Sequence, residues 1–281
     1  MTNDIFDIVI ANAIENADKA RKEDQINTND YLDDKNLLRC GKCHGYRTTM
    51  FTNPLTGKTK IVSCMCKCRI IEEEKRRHIE KVYELKKLAF KDPEYAKMVF
   101  DVDKFPESKA SKISRKYVEN WSEMYKNNIG LIFQGDCGVG KTFYSTCIAN
   151  ELIEKEVSVY ETNLPDLISS LSKNFGEERD IILNKVSKVS WLILDDVGIE
   201  RNTDFSLEKY YEIIDTRYRS KRPIIISTNL SIEELNTNDT KYQRIYHRLM
   251  EMAQLVKVEG QNVRGNFMAR KNIIAQDLLG L

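Results

Sequence analysis

Apolar residues recur along this 281-residue chain in two rhythms. Up to about Arg21, Ile5, Ile8, Val9, Ala13, Ile14 and Ala17 fall at helical spacing and predict a short amphipathic helix. A polar stretch and a cysteine-rich region follow. Then Ile71, Ile79, Val82, Leu85 and Leu88, within IIEEEKRRHIEKVYELKKLAF, predict a second helix with a charged outer face. Pro93 and Pro106 break regular structure and place a boundary near residues 91–110. Beyond it the pattern alternates. Strands are predicted in GLIFQG, VSVYET, SWLILDD, PIIISTN and AQLVKVEG. Helices are predicted in SRKYVENWSEMYKNN, KTFYSTCIANELIEKE, LPDLISSLSKNFG, EERDIILNKVSKV, SLEKYYEIIDTRYRSKR and TKYQRIYHRLMEM. Short, wholly apolar strands separated by helices imply a buried parallel sheet covered on both faces, an α/β fold. The expected organisation is a small domain over 1–90, a linker over 91–110 and a larger domain over 111–281.

Charge adds an exclusion. The net charge is +1, so no global field draws the chain to nucleic acid or an anionic surface, and any such contact must be local. No stretch approaches the roughly 18 apolar residues of a membrane span. The start carries Asp4 and Asp7 and no basic leader, unlike a secretory signal. A cytoplasmic protein without a membrane partner is expected. In that reducing compartment clustered cysteines read as metal ligands.

Five of the seven cysteines crowd together: Cys40 and Cys43 in CGKC, then Cys64, Cys66 and Cys68 in SCMCKCRI. The first pair is a C-x₂-C half-site for Zn²⁺, whose turn presents two thiolates to one ion. The second half lies across a hairpin expected around NPLTGK. Three cysteines compete for two places there. Cys66 and Cys68 are favoured, with Cys64 as the alternate ligand and His44 as a weaker outsider. Four thiolates leave no open coordination position, so the zinc is structural. Such a segment has little apolar surface, and the metal would supply its folding free energy. Cys137 and Cys147 read as spacer and core residues.

GDCGVGKT, Gly135 to Thr142, follows a strand and opens a helix, which is the context of a phosphate-binding loop. Gly135, Asp136, Cys137, Gly138, Val139 and Gly140, with Phe143 opening the helix, would turn backbone N–H groups onto phosphate oxygens. Lys141 would neutralise the outer phosphates and Thr142 would offer its hydroxyl to Mg²⁺. Asp195 and Asp196 end the apolar strand WLIL, where ligands of parallel sheets bind. Asp195 fits the Mg²⁺-holding carboxylate, and Asp196 a base that polarises the attacking water. Ser227, Thr228 and Asn229 end a third strand and could face the terminal phosphate.

From about Phe105 onward, NNIGLIFQGDCGVGKTFYSTCIANELI, WLILDDVG, RPIIISTNL, RIYHRLME and VRGN together resemble AAA+ ATPases of the bacterial and phage replicative helicase loaders, the DnaC/DnaI type. IstB-like transposition ATPases form a sister group. The resemblance implies an AAA+ P-loop NTPase that uses ATP to load a hexameric replicative helicase onto single-stranded DNA during replication. It places Asn229 at the first sensor position and Arg264 at the second. Arg248 matches the arginine finger that reaches a neighbouring subunit's γ-phosphate, with Arg244 the less favoured choice, so self-association through the ATPase domain follows. This chain has Asp-Asp where many relatives have Asp-Glu, which implies slow or partner-stimulated hydrolysis. The stretch LPDLISSLSKNFG resembles the element that the loader and initiator branch uses on single-stranded DNA. The residues themselves offer a second candidate, the basic segment Arg217 to Arg222 around Tyr218. In the Gram-positive loader type the amino-terminal domain is likewise a zinc module that binds the helicase. The competing readings are a transposition helper, a P-loop kinase and a zinc-containing DNA-binding regulator.

Overall fold

The computed structural model describes residues 29–198, 204–235 and 239–260, together with 262, 275, 276, 278 and 279. The helix expected before Arg21 and the sensor candidate Arg264 lie outside the described residues. The chain divides into two compact units, Met1–Glu80 and Lys81–Leu281.

In the first unit, β1 (Tyr31–Leu32) pairs antiparallel with β2 (Leu38–Arg39), and β3 (Thr48–Thr52) with β4 (Thr59–Ser63). The expected hairpin turn is present. Asn53 Oδ1 accepts from Leu55 N at 2.8 Å and Gly57 takes φ +67°, an Asx turn followed by a left-handed glycine. Among the described residues of this unit only Leu37, Cys40, Thr48 and Cys66 are buried, far too little core to fold unaided. Helix α1 (Lys67–Ala89) begins directly after Cys66.

The second unit is built on a five-stranded parallel sheet, order β6-β7-β8-β5-β9. Its strands are β5 (Gly130–Gln134), β6 (Val159–Asn163), β7 (Trp191–Val197), β8 (Ile224–Thr228) and β9 (Ala253–Lys257). Successive residues serve opposite faces. Leu131, Phe133, Trp191, Ile193, Ile225 and Val256 enter one core cluster; Ile132, Leu192, Leu194, Ile224 and Ile226 enter the other. Helices α2 (Lys109–Glu119) and α4 (Lys141–Glu154) cover the first face through residues such as Tyr117, Ile148 and Leu152. Helices α5 (Leu164–Lys173), α6 (Glu177–Lys188), α7 (Asp204–Ser220) and α9 (Thr240–Met252) cover the second, α8 (Ile232–Leu235) adding Leu235.

One helix expected over SRKYVENWSEMYKNN is two, α2 and α3 (Trp121–Lys126). Asn120 parts them at φ −102° and ψ 20°, and its side-chain amide donates to Lys116 O at 2.8 Å in competition with the helix. The segment 91–110, expected as a linker, carries two 3₁₀ turns, Pro93–Lys97 and Phe100–Val102. It puts Phe100 into the first core cluster. Asn150 Nδ2 on α4 donates to Tyr95 O and Met98 O at 2.8 and 2.9 Å.

The basic segment at 217–222 is not the free patch that its composition suggests. Arg217 is fully buried, and its guanidinium donates to Val186 O (3.0 Å), Val189 O (2.8 Å), Ser190 O (2.7 Å) and Pro223 O (3.2 Å). It thus satisfies the open carbonyls where α6 ends. Burial pushes its pKa down to about 9, still charged at neutral pH. Arg219 pairs with Asp215 at 2.7 Å, and the Tyr218 hydroxyl donates to Glu251 at 3.0 Å. Replacing Arg217 by leucine strands these carbonyls. The expected cost is at least about 3 kcal/mol, read as a lower urea midpoint. An unfolding free energy within about 0.5 kcal/mol of the parent would refute this structural role.

Candidate functional site

Strand β5 lies between β8 and β9, while its successor β6 forms the far edge. The connection through α4 therefore leaves from a topological switch point, where parallel sheets bind ligands. The phosphate loop sits there. Gly138 and Gly140 take φ +84° and +100°, backbone that L side chains resist. A Cβ on Gly135 would stand 2.3 Å from Val258 O, so only glycine fits against the last strand. Gly140 caps α4 without a side-chain hydrogen bond, which leaves the helix N-terminus to its ligand. Lys141 Nζ arches over the loop and donates to the carbonyls of Gly135 and Asp136, each at 2.8 Å. Asp136 and Cys137 are exposed, and Val139 and Phe143 are partly buried.

Thr142 Oγ1 donates to Asp195 Oδ2 at 2.8 Å. Asp195 is 8% exposed, and its Oδ1 is buried with no hydrogen-bond partner among the described residues. A buried carboxylate oxygen left orphaned beside a hydroxyl is costly. This donor set fits a hard, oxygen-seeking cation such as Mg²⁺. The strand then slips register between Leu194 and Val197, and Asp196 takes φ +54°. That bulge turns Asp196 out to solvent while Asp195 stays inside.

On β8, Thr228 faces away, donating to Val197 O at 2.7 Å. Ser227 lies on the same sheet face as Phe133, its partner in register, and its Oγ is buried without a partner among the described residues. Asn229 is exposed just past the strand. Arg248, on α9, is held within its own chain: its guanidinium Nη1 lies 2.6 Å from Asp215 Oδ1 in an ion pair, and the group stacks over Tyr211 (4.8 Å) and Tyr218 (5.3 Å). Its side chain is 24% exposed, whereas Arg244 is exposed. Helix α5 buries Leu164, Leu167, Ile168 and Leu171 and leaves Phe175 beyond its end 79% exposed.

Two features escaped the sequence reading. An apolar cavity of about 320 Å³ adjoins the loop, lined by Val102, Phe105, Val139, Phe143 and Tyr144. Its place and chemistry suit the planar base of a nucleotide. Its one signal in the sequence was the pair of apolar residues Val102 and Phe105 within the otherwise charged FDVDKF stretch. Tyr95 is the other: burial, then the charges of Asp195, Glu161, Asp92 and Asp196, raise its hydroxyl pKa.

In the first unit the thiols of Cys40, Cys43, Cys66 and Cys68 lie within 4.8 Å of one another, a four-sulfur set that fits Zn²⁺. Cys66 Sγ and Cys40 Sγ lie 3.3 and 3.5 Å from Cys68 Sγ. A Cβ on Gly45 would press on Cys43 Sγ and Cys66 Cβ at 3.3 Å. Cys64 stands aside, its thiol donating to Tyr46 O at 3.3 Å, and His44 Nδ1 meets the Tyr31 hydroxyl at 3.1 Å. Backbone N–H donors, led by that of Cys68, pull the Cys43 pKa down to about 6. The neighbouring Cys66 thiol, then Cys40, push Cys68 up to about 12. Four adjacent thiolates repel one another until a dication joins them.

The glycine loop at a sheet switch point, the Thr142–Asp195 pair and the strand order define a P-loop nucleotide-binding protein of the AAA+ class. Residues 57–270 match the family of IstB-like ATP binding proteins, and the chain belongs to that family. It is 32% identical over 125 residues to the replicative helicase loader DnaC of Escherichia coli K12, covering 43% of this chain and 50% of the relative. It is 29% identical over 160 residues to the replicative helicase loader DnaI of Bacillus subtilis, covering 53% and 51%. An ATP-binding protein of insertion sequence IS232 from Bacillus thuringiensis is 29% identical over 138 residues, 48% of this chain and 55% of the relative. The chain thus spans about half the length of the curated relatives it matches. The fold matches a crystal structure of DnaI with TM-score 0.52 at 24% identity, over 63% of this chain and 98% of that one.

Proposed function

We propose that this chain is an ATP-driven loader that places a hexameric replicative helicase on single-stranded DNA, its cysteine module gripping the helicase and its P-loop unit supplying the switch. The observation that carries the reading is one chain holding both the Thr142–Asp195 pair under a phosphate loop and a four-thiol cluster. The helicase-loader relatives support it. In this reading the parts are a helicase-binding module over 1–90, a connecting segment over 91–110 and an ATPase over 111–281.

At the nucleotide site, loop N–H groups and Lys141 bind the phosphates, and the Val102–Phe105 cavity takes the base. Thr142 and Asp195 would hold Mg²⁺, which supplies charge neutralisation at the phosphate oxygens. Asp196, on its bulge, orients the attacking water and accepts its proton. Asn229 fixes that water from the next strand. Arg248, or the exposed Arg244, would reach the γ-phosphate of a neighbouring copy. For Arg248 that means leaving Asp215, so the ion pair would act as a latch released on assembly. Arg264 would serve as a second sensor. Hydrolysis is slow or partner-stimulated because the aspartate at 196 reaches less far than a glutamate. Zinc would fix the cysteine module. Single-stranded DNA is assigned to the end of α5, where Phe175 is exposed and can stack on a base. Arg217 is committed elsewhere. The site of action is the cytoplasm; among the described residues no helix is long and apolar enough to cross a membrane.

The insertion-sequence relative favours a second reading, a transposition helper. Co-purification with a hexameric replicative helicase separates the two. The full chain is expected to retain the helicase, and a truncation starting at Lys81 to bind nucleotide yet lose it. Helicase retained by the truncation would refute the module's role. Absence of helicase from the full chain with and without ATP would favour the transposition reading.

A further inference from the structure

Two polar rungs tie α4 to the sheet. Thr142 on Asp195 is the first. One helical turn on, Thr146 Oγ1 donates to Glu161 Oε1 at 2.7 Å. The pairing of β6 with β7 sets Glu161 opposite Ile193 and Asn163 opposite Asp195, so Glu161 and Asp195 share one sheet face, one strand apart and one pleat repeat apart. That face is otherwise apolar here: Val159, Trp191 and Ile193 belong to the first core cluster. Glu161 is 2% exposed, and its Oε2 meets no partner among the described residues. A carboxyl in such a place opposes folding, and an apolar side chain would pack better. Its position is explained by what it holds. Burial raises the Glu161 pKa to about 8; the Thr146 hydrogen bond opposes this rise and the Asp195 charge adds to it. At neutral pH it is a neutral acid, a hydrogen-bonding group and not a second anion beside Asp195.

We propose that Glu161 is a positioning residue for the cation site: through Thr146 it fixes the rotation of α4 against the sheet, and so the aim of the Thr142 hydroxyl beside Asp195. The inference rests on the nucleotide reading above. It goes beyond that reading in giving a role to a buried acid whose hydrogen-bond partner among the described residues is Thr146, one turn from the phosphate loop. Without the Thr146–Glu161 rung, α4 keeps its apolar contacts through Ile148 and Leu152 but loses the polar tie to the sheet that lies one turn from Thr142.

The test is binding of a fluorescent ATP analogue to the full chain in Mg²⁺ and in EDTA, with thermal melting alongside. Wild type that binds no nucleotide would remove the nucleotide reading itself; wild type that binds more tightly in Mg²⁺ leaves the inference open to its own variants. Glu161→Gln, which mimics the neutral acid, is expected to keep the Mg²⁺-dependent gain within about 2-fold. Thr146→Val and Glu161→Ile are expected to lose about 10-fold of affinity in Mg²⁺ and to stay within about 2-fold of wild type in EDTA. Equal losses in Mg²⁺ and EDTA, or no loss in either, would overturn the proposal. So would Glu161→Gln as damaged as Glu161→Ile, since that would require an ionised carboxylate. Should Glu161→Ile fail to fold, Thr146→Val, which keeps side-chain shape, decides the matter alone.

Discussion

Replacing Asp195 by asparagine is expected to cut ATP hydrolysis by at least about 100-fold while Mg²⁺-free nucleotide binding and the melting temperature hold. Asparagine keeps an oxygen that accepts the Thr142 hydroxyl, now at 2.8 Å, so the packing of α4 on β7 survives. What vanishes is the charge. Asp195 Oδ1 lies buried and unpartnered among the described residues, and only a cation compensates an anion held in that way. An amide oxygen is a weaker ligand for so hard an ion. Steady-state phosphate release and binding in EDTA separate the two effects. Hydrolysis within about 3-fold of wild type would mean that Asp195 holds no catalytic cation.

The other large effect belongs to the cysteine module. Stripping the metal with a chelator is expected to unfold residues 29–66 and to remove about 10 kcal/mol of folding free energy from that unit. The module buries four residues among those described, two of them the candidate ligands Cys40 and Cys66, so a metal would replace a core. Hydrogen exchange followed by mass spectrometry reads this directly: protection of β1 to β4 collapses on chelation and that of β5 to β9 persists. Cys43→Ser should reproduce the collapse without chelator, and Cys64→Ser should not, because the Cys64 thiol only donates to Tyr46 O. Unchanged protection after complete chelation would show that the unit folds on its own contacts.

Much of this was legible in the residues, and the reasons differ by site. The P-loop and Asp195 were readable because phosphate binding needs glycines and a lysine at fixed spacing, just after a strand. The three inner strands β5, β7 and β8 announced themselves as apolar runs, since both faces are covered. The four-thiol cluster was readable to within one cysteine. Choosing among Cys64, Cys66 and Cys68 required the turn into α1, which sends Cys64 toward Tyr46. Other features are tertiary. Arg217 sits in a run that looks like a basic surface, yet only the end of α6 meeting the start of β8 reveals four carbonyls waiting for it. Arg248 carries a motif position, but its pairing with Asp215 comes from the packing of α9 on α7. The apolar cavity beside the loop joins Val102 and Phe105 to Val139 and Phe143, residues distant in sequence. Glu161 was invisible for a subtler reason. A lone glutamate in VSVYET reads as the exposed side of a strand, and only the packing of α4 and α5 on the two faces of β6 shows both sides covered.

The measurement nearest the central claim is calorimetric titration of ATP into the full chain, with and without Mg²⁺, beside Lys141→Ala and Asp195→Asn. One nucleotide per chain is expected, tighter in Mg²⁺, with binding lost in Lys141→Ala and the Mg²⁺ gain alone lost in Asp195→Asn. Binding that survives in Lys141→Ala, or a Mg²⁺ gain undiminished in Asp195→Asn, would contradict it.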